Sequence, residues 1–132
     1  MPKQIGPFLP YAVGDPPKLE FWCSPSFRDE VRALFHRHPE YRDQLANINA
    51  LVHRLAGGQH LSTTSFRKEG SAGYAFRAGR WRFYGAYSQL RIGAFVLSHP
   101  VLKDQQKLSS ADESRIKRCG AAFDKAVKEM KS

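Results

Sequence analysis

Residues 70 to 99 read GSAGYAFRAGRWRFYGAYSQLRIGAFVLSH, and this stretch decides the class of fold. Aromatic and aliphatic side chains fall in short runs bounded by glycine and serine, the pattern of strands joined by tight turns. Strands are expected over residues 73–77, 80–87 and 90–98, with one more at 63–68. The run Ile-Gly-Ala-Phe-Val-Leu in the last suits a central strand buried on both faces. Alternation along 80–87 places Trp81, Phe83 and Tyr87 on one face and Arg80, Arg82 and Tyr84 on the other.

No carboxylate occurs between Glu69 and Asp104, whereas Arg77, Arg80, Arg82 and Arg91 interleave with Tyr74, Phe76, Trp81, Phe83, Tyr84 and Tyr87. A positive field among aromatic rings suits a surface that holds phosphates and stacks bases. A basic, solvated sheet face is the plainer alternative. The Arg80, Arg82, Tyr84 face is therefore the candidate site, while Trp81, Phe83 and Phe95 are expected in the core.

On the N-terminal side, LEFWC is short, aromatic and bounded by prolines, so residues 18–23 are expected as a first strand. A helix capped by Ser24, with Pro25 in its first position, should follow, because Phe27, Val31, Leu34 and Phe35 share one face. After Pro39 a second helix carries Tyr41, Leu45, Ile48, Leu51, Val52 and Leu55 and ends at Gly57-Gly58. A C-terminal helix begins near Ser109 or Ser110, where Ser-Ala-Asp-Glu forms a capping box. It carries Ile116, Cys119, Phe123, Val127 and Met130 on one side. Residues 1–17, MPKQIGPFLPYAVGDPP, are expected as an irregular proline-rich arm ahead of one domain spanning 18–132.

The chain has 132 residues, enough for a single modest core. Its 21 Lys+Arg against 12 Asp+Glu, a formal charge of +9, point to nucleic acid, a ribonucleoprotein or an acidic protein as partner. No stretch approaches the roughly eighteen apolar residues of a membrane span, and the N-terminus lacks an apolar run of signal-peptide length. A cytoplasmic location is expected, with Cys23 and Cys119 reduced. His36, His38, His53 and His60 lack carboxylates or cysteines at ligand spacing, so neither a metal nor a cofactor is expected. Ser62, Thr63, Thr64 and Ser65 have no nucleophile-elbow context.

Strand, two helices and an antiparallel meander in that order resemble the RelE/ParE superfamily of type II toxins. Arg77-Ala78-Gly79-Arg80-Trp81-Arg82-Phe83-Tyr84 is similar to the superfamily pattern R-x-G-x-(Tyr/Trp)-R-(apolar)-x-Tyr. Ala94 to His99 resembles its apolar strand ending in histidine. Lys103-Asp104-Gln105-Gln106-Lys107-Leu108 is similar to the Lys-Lys-x-Gln-Lys-x-Pro segment of the HigB-like, phage-derived branch.

The resemblance implies an α+β fold with a small antiparallel sheet, two N-terminal helices and a C-terminal helix. It implies a metal-independent endoribonuclease that cuts mRNA on the ribosome by attack of a 2′-hydroxyl on the adjacent phosphate. A cognate antitoxin, a helix-turn-helix protein with an acidic segment, would silence it. Arg82 and then Arg77 match the motif arginines and would hold the phosphate. His99, Lys103 and Tyr84 would take part in proton transfer, and Arg80, Arg91 and Lys107 would bind the RNA or ribosome backbone. A ParE-like gyrase poison and a non-catalytic RNA-binding phage accessory protein share the same scaffold.

Overall fold

The computed structural model describes residues 3–13, 19–103 and 108–130. Strands β1 (Leu9–Val13), β2 (Glu20–Cys23), β3 (Phe66–Glu69), β4 (Gly73–Ala78), β5 (Trp81–Tyr87) and β6 (Ala94–Leu102) form one sheet in the order β1-β2-β6-β5-β4-β3. Helices α1 (Phe27–Arg37) and α2 (Arg42–Ala56) connect β2 to β3 through a tight turn at Pro39–Tyr41, and α3 (Ser110–Met130) follows β6.

The class is α+β, but the sheet is neither small nor wholly antiparallel. β2 runs parallel to β6, a pairing that needs a long crossover, and α1, α2 and the β3–β5 meander supply it. Two strands precede the helix pair, so α1 and α2 are not N-terminal. The expected arm contributes one of those strands. Ile5 and Phe8 exchange backbone hydrogen bonds across a tight turn, both are buried against Phe123 and Val127 of α3, and β1 then pairs with β2. Proline is tolerated there because β1 is an edge strand, where a missing N–H breaks no second ladder.

Helices cover both faces. On one, Phe27 of α1 and Ile48 and Val52 of α2 pack on Phe21, Phe76, Trp81, Phe83, Phe95 and Leu97. Burying each such ring contributes about 1.5–3 kcal/mol. On the other, α3 sets Phe123 and Val127 against Trp22 and Val96, and Ile116 against Ala75, Tyr84 and Ala86. β6 lies between β2 and β5 and is buried on both sides, as its apolar run predicts. Its span is shifted from the expected 90–98, because Ser88 to Gly93 turn the chain, and the strand continues through His99 to Leu102.

Glycine fixes two close approaches. Gly79 opens the β4–β5 turn at φ +58°, and a Cβ there would meet the Gln44 side chain at 2.1 Å. That side chain accepts the Arg80 N–H through Oε1 at 2.9 Å, tying α2 to the hairpin. Gly85 faces the carbonyl oxygen of Val96, 2.3 Å from where its Cβ would stand, and the Phe95 ring at 2.4 Å.

Candidate functional site

The α3 face of the sheet is apolar where the helix lies on it and charged where the helix begins. Ladder register builds the charged part. Arg67 stands opposite Ala75, Ala75 opposite Tyr84 and Tyr84 opposite His99, while in the next row Arg77 stands opposite Arg82 and Arg82 opposite Val101. Lys103 enters just past the end of β6, its N–H bonded to the Arg80 carbonyl at 2.9 Å.

A β-bulge brings His99 to this face. Gly85 pairs with Leu97 and Tyr84 with His99, so Ser98 is an extra residue with no partner across the ladder. Without it His99 would follow Phe95 and Leu97 into the α1–α2 core. With it, His99 is 2% exposed and lies beside the Tyr84 ring, with centroids 5.5 Å apart.

Both ring nitrogens of His99 are engaged. Nε2 lies 3.0 Å from Asp112 Oδ1 and Nδ1 lies 2.8 Å from Ser98 Oγ. Burial holds the imidazole below its ordinary range, against the opposing pull of Asp112. A neutral ring facing an acceptor-only carboxylate carries its proton on Nε2, so Nδ1 accepts the Ser98 hydroxyl. Asp112 Oδ2 lies 3.2 Å from Lys103 Nζ and accepts the Ser109 hydroxyl at 2.7 Å. Burial pushes the Asp112 carboxyl up, but Ser109, His99 and Lys103 together hold it below its usual value. For Lys103, burial acts downward and is outweighed by Tyr84 and Asp112, so its ammonium is held above the ordinary range. Burial raises the Tyr84 phenol.

The motif arginines behave differently from one another. Arg77 is half-buried, whereas Arg82 is 3% exposed and turns back along its own hairpin, donating from Nη1 to the carbonyls of Gly79 and Trp81 at 2.8 Å. Burial, and then the Arg77 charge, hold the Arg82 guanidinium below its ordinary value. Among the described residues, Nε of both arginines and Oε2 of Glu69 are buried without a hydrogen-bond partner. Arg67 bonds Glu69 Oε1 at 3.1 Å. The cluster thus sets Arg67, Arg77, Arg82 and Lys103 against Glu69 and Asp112, leaving it cationic.

Of the residues expected at the site, Arg77, Arg82, Tyr84, His99 and Lys103 share this face. Arg80 is exposed on the hairpin turn, its guanidinium 5.4 Å from the Tyr41 ring centroid on the α1–α2 side. Arg91 lies past the far end of β5, held by a bidentate pair with Glu20 at 2.7 and 3.1 Å. Lys107 falls outside the described residues. Sequence reasoning missed Ser98, Arg67, Glu69 and Asp112. The capping box held the signal for Asp112, but in a different register. Ser109 is the cap, accepting the Asp112 N–H at 3.0 Å, which makes Asp112 its carboxylate and leaves Glu113 to accept from the backbone N–H and hydroxyl of Ser71.

Compared with known proteins, the chain matches no family model, no curated protein and no solved structure. The geometry therefore carries the functional argument.

Proposed function

We propose that this chain is the toxin of a type II toxin–antitoxin pair, a ribosome-dependent mRNA endoribonuclease of the RelE/HigB kind. The observation that carries this reading is the gathering of Arg77, Arg82, Tyr84, His99 and Lys103 on one cationic sheet face. The class is α+β with a C-terminal helix, while β1, the six-stranded sheet and the parallel β2–β6 pair depart from the small antiparallel sheet behind two N-terminal helices that the resemblance implies.

In the proposed reaction the 2′-oxygen bonds to phosphorus and the P–O5′ bond breaks, giving a 2′,3′-cyclic phosphate and a free 5′-hydroxyl. The proton lost by the 2′-oxygen balances the one gained by the 5′-oxygen. Arg77 and Lys103 stabilise the charge that builds on the phosphoryl oxygens, and the Lys103 ammonium, more exposed than His99, gives the proton to the 5′-oxygen. Arg82, committed to the hairpin carbonyls, shapes the turn and adds field. Among the described residues no free base is open to substrate, so in this proposal solvent takes the 2′-hydroxyl proton and the ribosome supplies the in-line alignment.

The antitoxin belongs to the same proposal. A groove of about 350 Å³ between β1, α1 and α2, lined by Tyr11, Phe27, Arg28, Val31, Arg32 and Phe35, offers apolar floor and cationic rim to an acidic amphipathic segment.

The test is incubation of purified protein with mRNA, with and without ribosomes. Cleavage in the ribosome tube alone is the expected result. Equal cleavage in both would indicate a free-standing nuclease, and none in either would favour the gyrase-poison or non-catalytic readings.

A further inference from the structure

Asp112 is paired with both His99 and Lys103, at 3.0 and 3.2 Å, and it holds them from the first turn of α3. Its two oxygens are divided between them, and the Ser109 cap fixes the carboxylate from the helix side. We propose that Asp112 is the positioning residue of the site, and that His99 acts through it rather than on RNA. The inference rests on the nuclease reading above and adds to it a named division of labour.

To exchange a proton with substrate, a ring nitrogen must face it, yet Nδ1 of His99 is closed by Ser98 and Nε2 by Asp112, in a side chain 3% exposed. What His99 can do from there is hold one carboxylate oxygen in place, leaving the other aimed at Lys103. Lys103 has more exposure than His99 and an ammonium 5.5 Å from the Tyr84 ring centroid. A cation held by a fixed carboxylate is placed before substrate arrives. Displacing such a group by about 1 Å costs about a hundredfold in rate.

Charged neighbours bear on His99 from every side that packs on it: Asp112 and Arg115 from α3 and Glu30 from α1, with Tyr84 from β5. Two kinds of measurement separate positioning from direct catalysis. The first is nitrogen-15 NMR of the purified chain without RNA. His99 should be a single neutral tautomer protonated on Nε2 at pH 7, and Asp112→Asn should shift both the His99 ring and the Lys103 ammonium signals.

The second compares His99→Gln, whose amide can still donate to Asp112, with His99→Ala on ribosomes. Gln should keep cleavage within about tenfold of wild type and leave the pH profile unchanged. Ala and Asp112→Asn should lower kcat by about a hundredfold with little change in KM. A His99 ring with mixed tautomers, an unmoved Lys103 signal in Asp112→Asn, or a folded His99→Gln as inactive as His99→Ala would each overturn the inference. Wild-type protein that cuts nothing on ribosomes would overturn the proposed activity, and the NMR arm would still decide whether Asp112 positions the pair.

Discussion

Arg77 and Arg82 occupy directly opposed positions of the β4–β5 ladder, so two guanidinium groups of like sign share one site in the sheet. Opposed like charges destabilise a ladder, and here the inner one is also desolvated. An anion brought to this face relieves both terms.

The two arginines should therefore separate on substitution. Arg77→Ala removes the repulsion and should leave the melting temperature unchanged or raised, while lowering ribosome-dependent cleavage by one to three orders of magnitude. Arg82→Ala strips two hairpin carbonyls of their donor and should lower stability by about 1–3 kcal/mol as well as activity. Thermal melts run beside cleavage assays check both, and a Tm loss in Arg77→Ala equal to that in Arg82→Ala would count against the assignment.

Gly85→Ala should be among the most damaging single-methyl changes in the chain. The added Cβ would stand 2.3 Å from the Val96 carbonyl oxygen, and backbone cannot yield as a side-chain tip can. Overpacking of this kind costs about 1–3 kcal/mol. Chemical denaturation would show it as a lower midpoint with unchanged slope.

Acid should weaken the fold in two stages. Burial depresses His99, so below the ordinary histidine value of 6.5 the unfolded chain binds a proton that the folded chain refuses, and stability falls from there down to the folded value. Asp112 is depressed as well. Its contribution is present above the ordinary aspartate value of 3.8 and is lost as pH falls through the folded one. Unfolding free energies measured from pH 8 to 3 should show both stages, and His99→Gln should remove only the upper one.

Arg91→Ala should cost about 1 kcal/mol through the loss of its bidentate pair and leave the affinity for ribosomes unchanged. Sedimentation with ribosomes at fixed salt checks the second part. A marked loss of binding would return Arg91 to the RNA surface.

What was legible in the sequence follows the range of the forces involved. The β4–β5 hairpin announces itself through Gly79 and strict alternation, and β6 through its apolar run, because both signals are local. The parallel pairing of β2 with β6 has no local signature, since it depends on where α1 and α2 return the chain. The site divides the same way. Arg77, Arg82, Tyr84, His99 and Lys103 are close in sequence, and the ladder keeps them close in space. Asp112 and Glu69 reach the cluster from outside the carboxylate-free stretch, so a count along residues 70–103 reads the field as less neutralised than it is. The position of His99 depends on one unpaired serine, and no pattern of hydrophobicity marks a bulge.

The proline in β1 reaches beyond the strand that holds it. Pro10 sits on one outer edge of the sheet, next to a register shift, while the opposite edge, β3, carries Arg67, Lys68 and Glu69. Missing donors, kinks and charges along open edges deter strand addition from another molecule. Growth of the sheet from chain to chain is thus obstructed at both ends. For a chain of formal charge +9 this adds a guard against stacking into fibres at high local concentration.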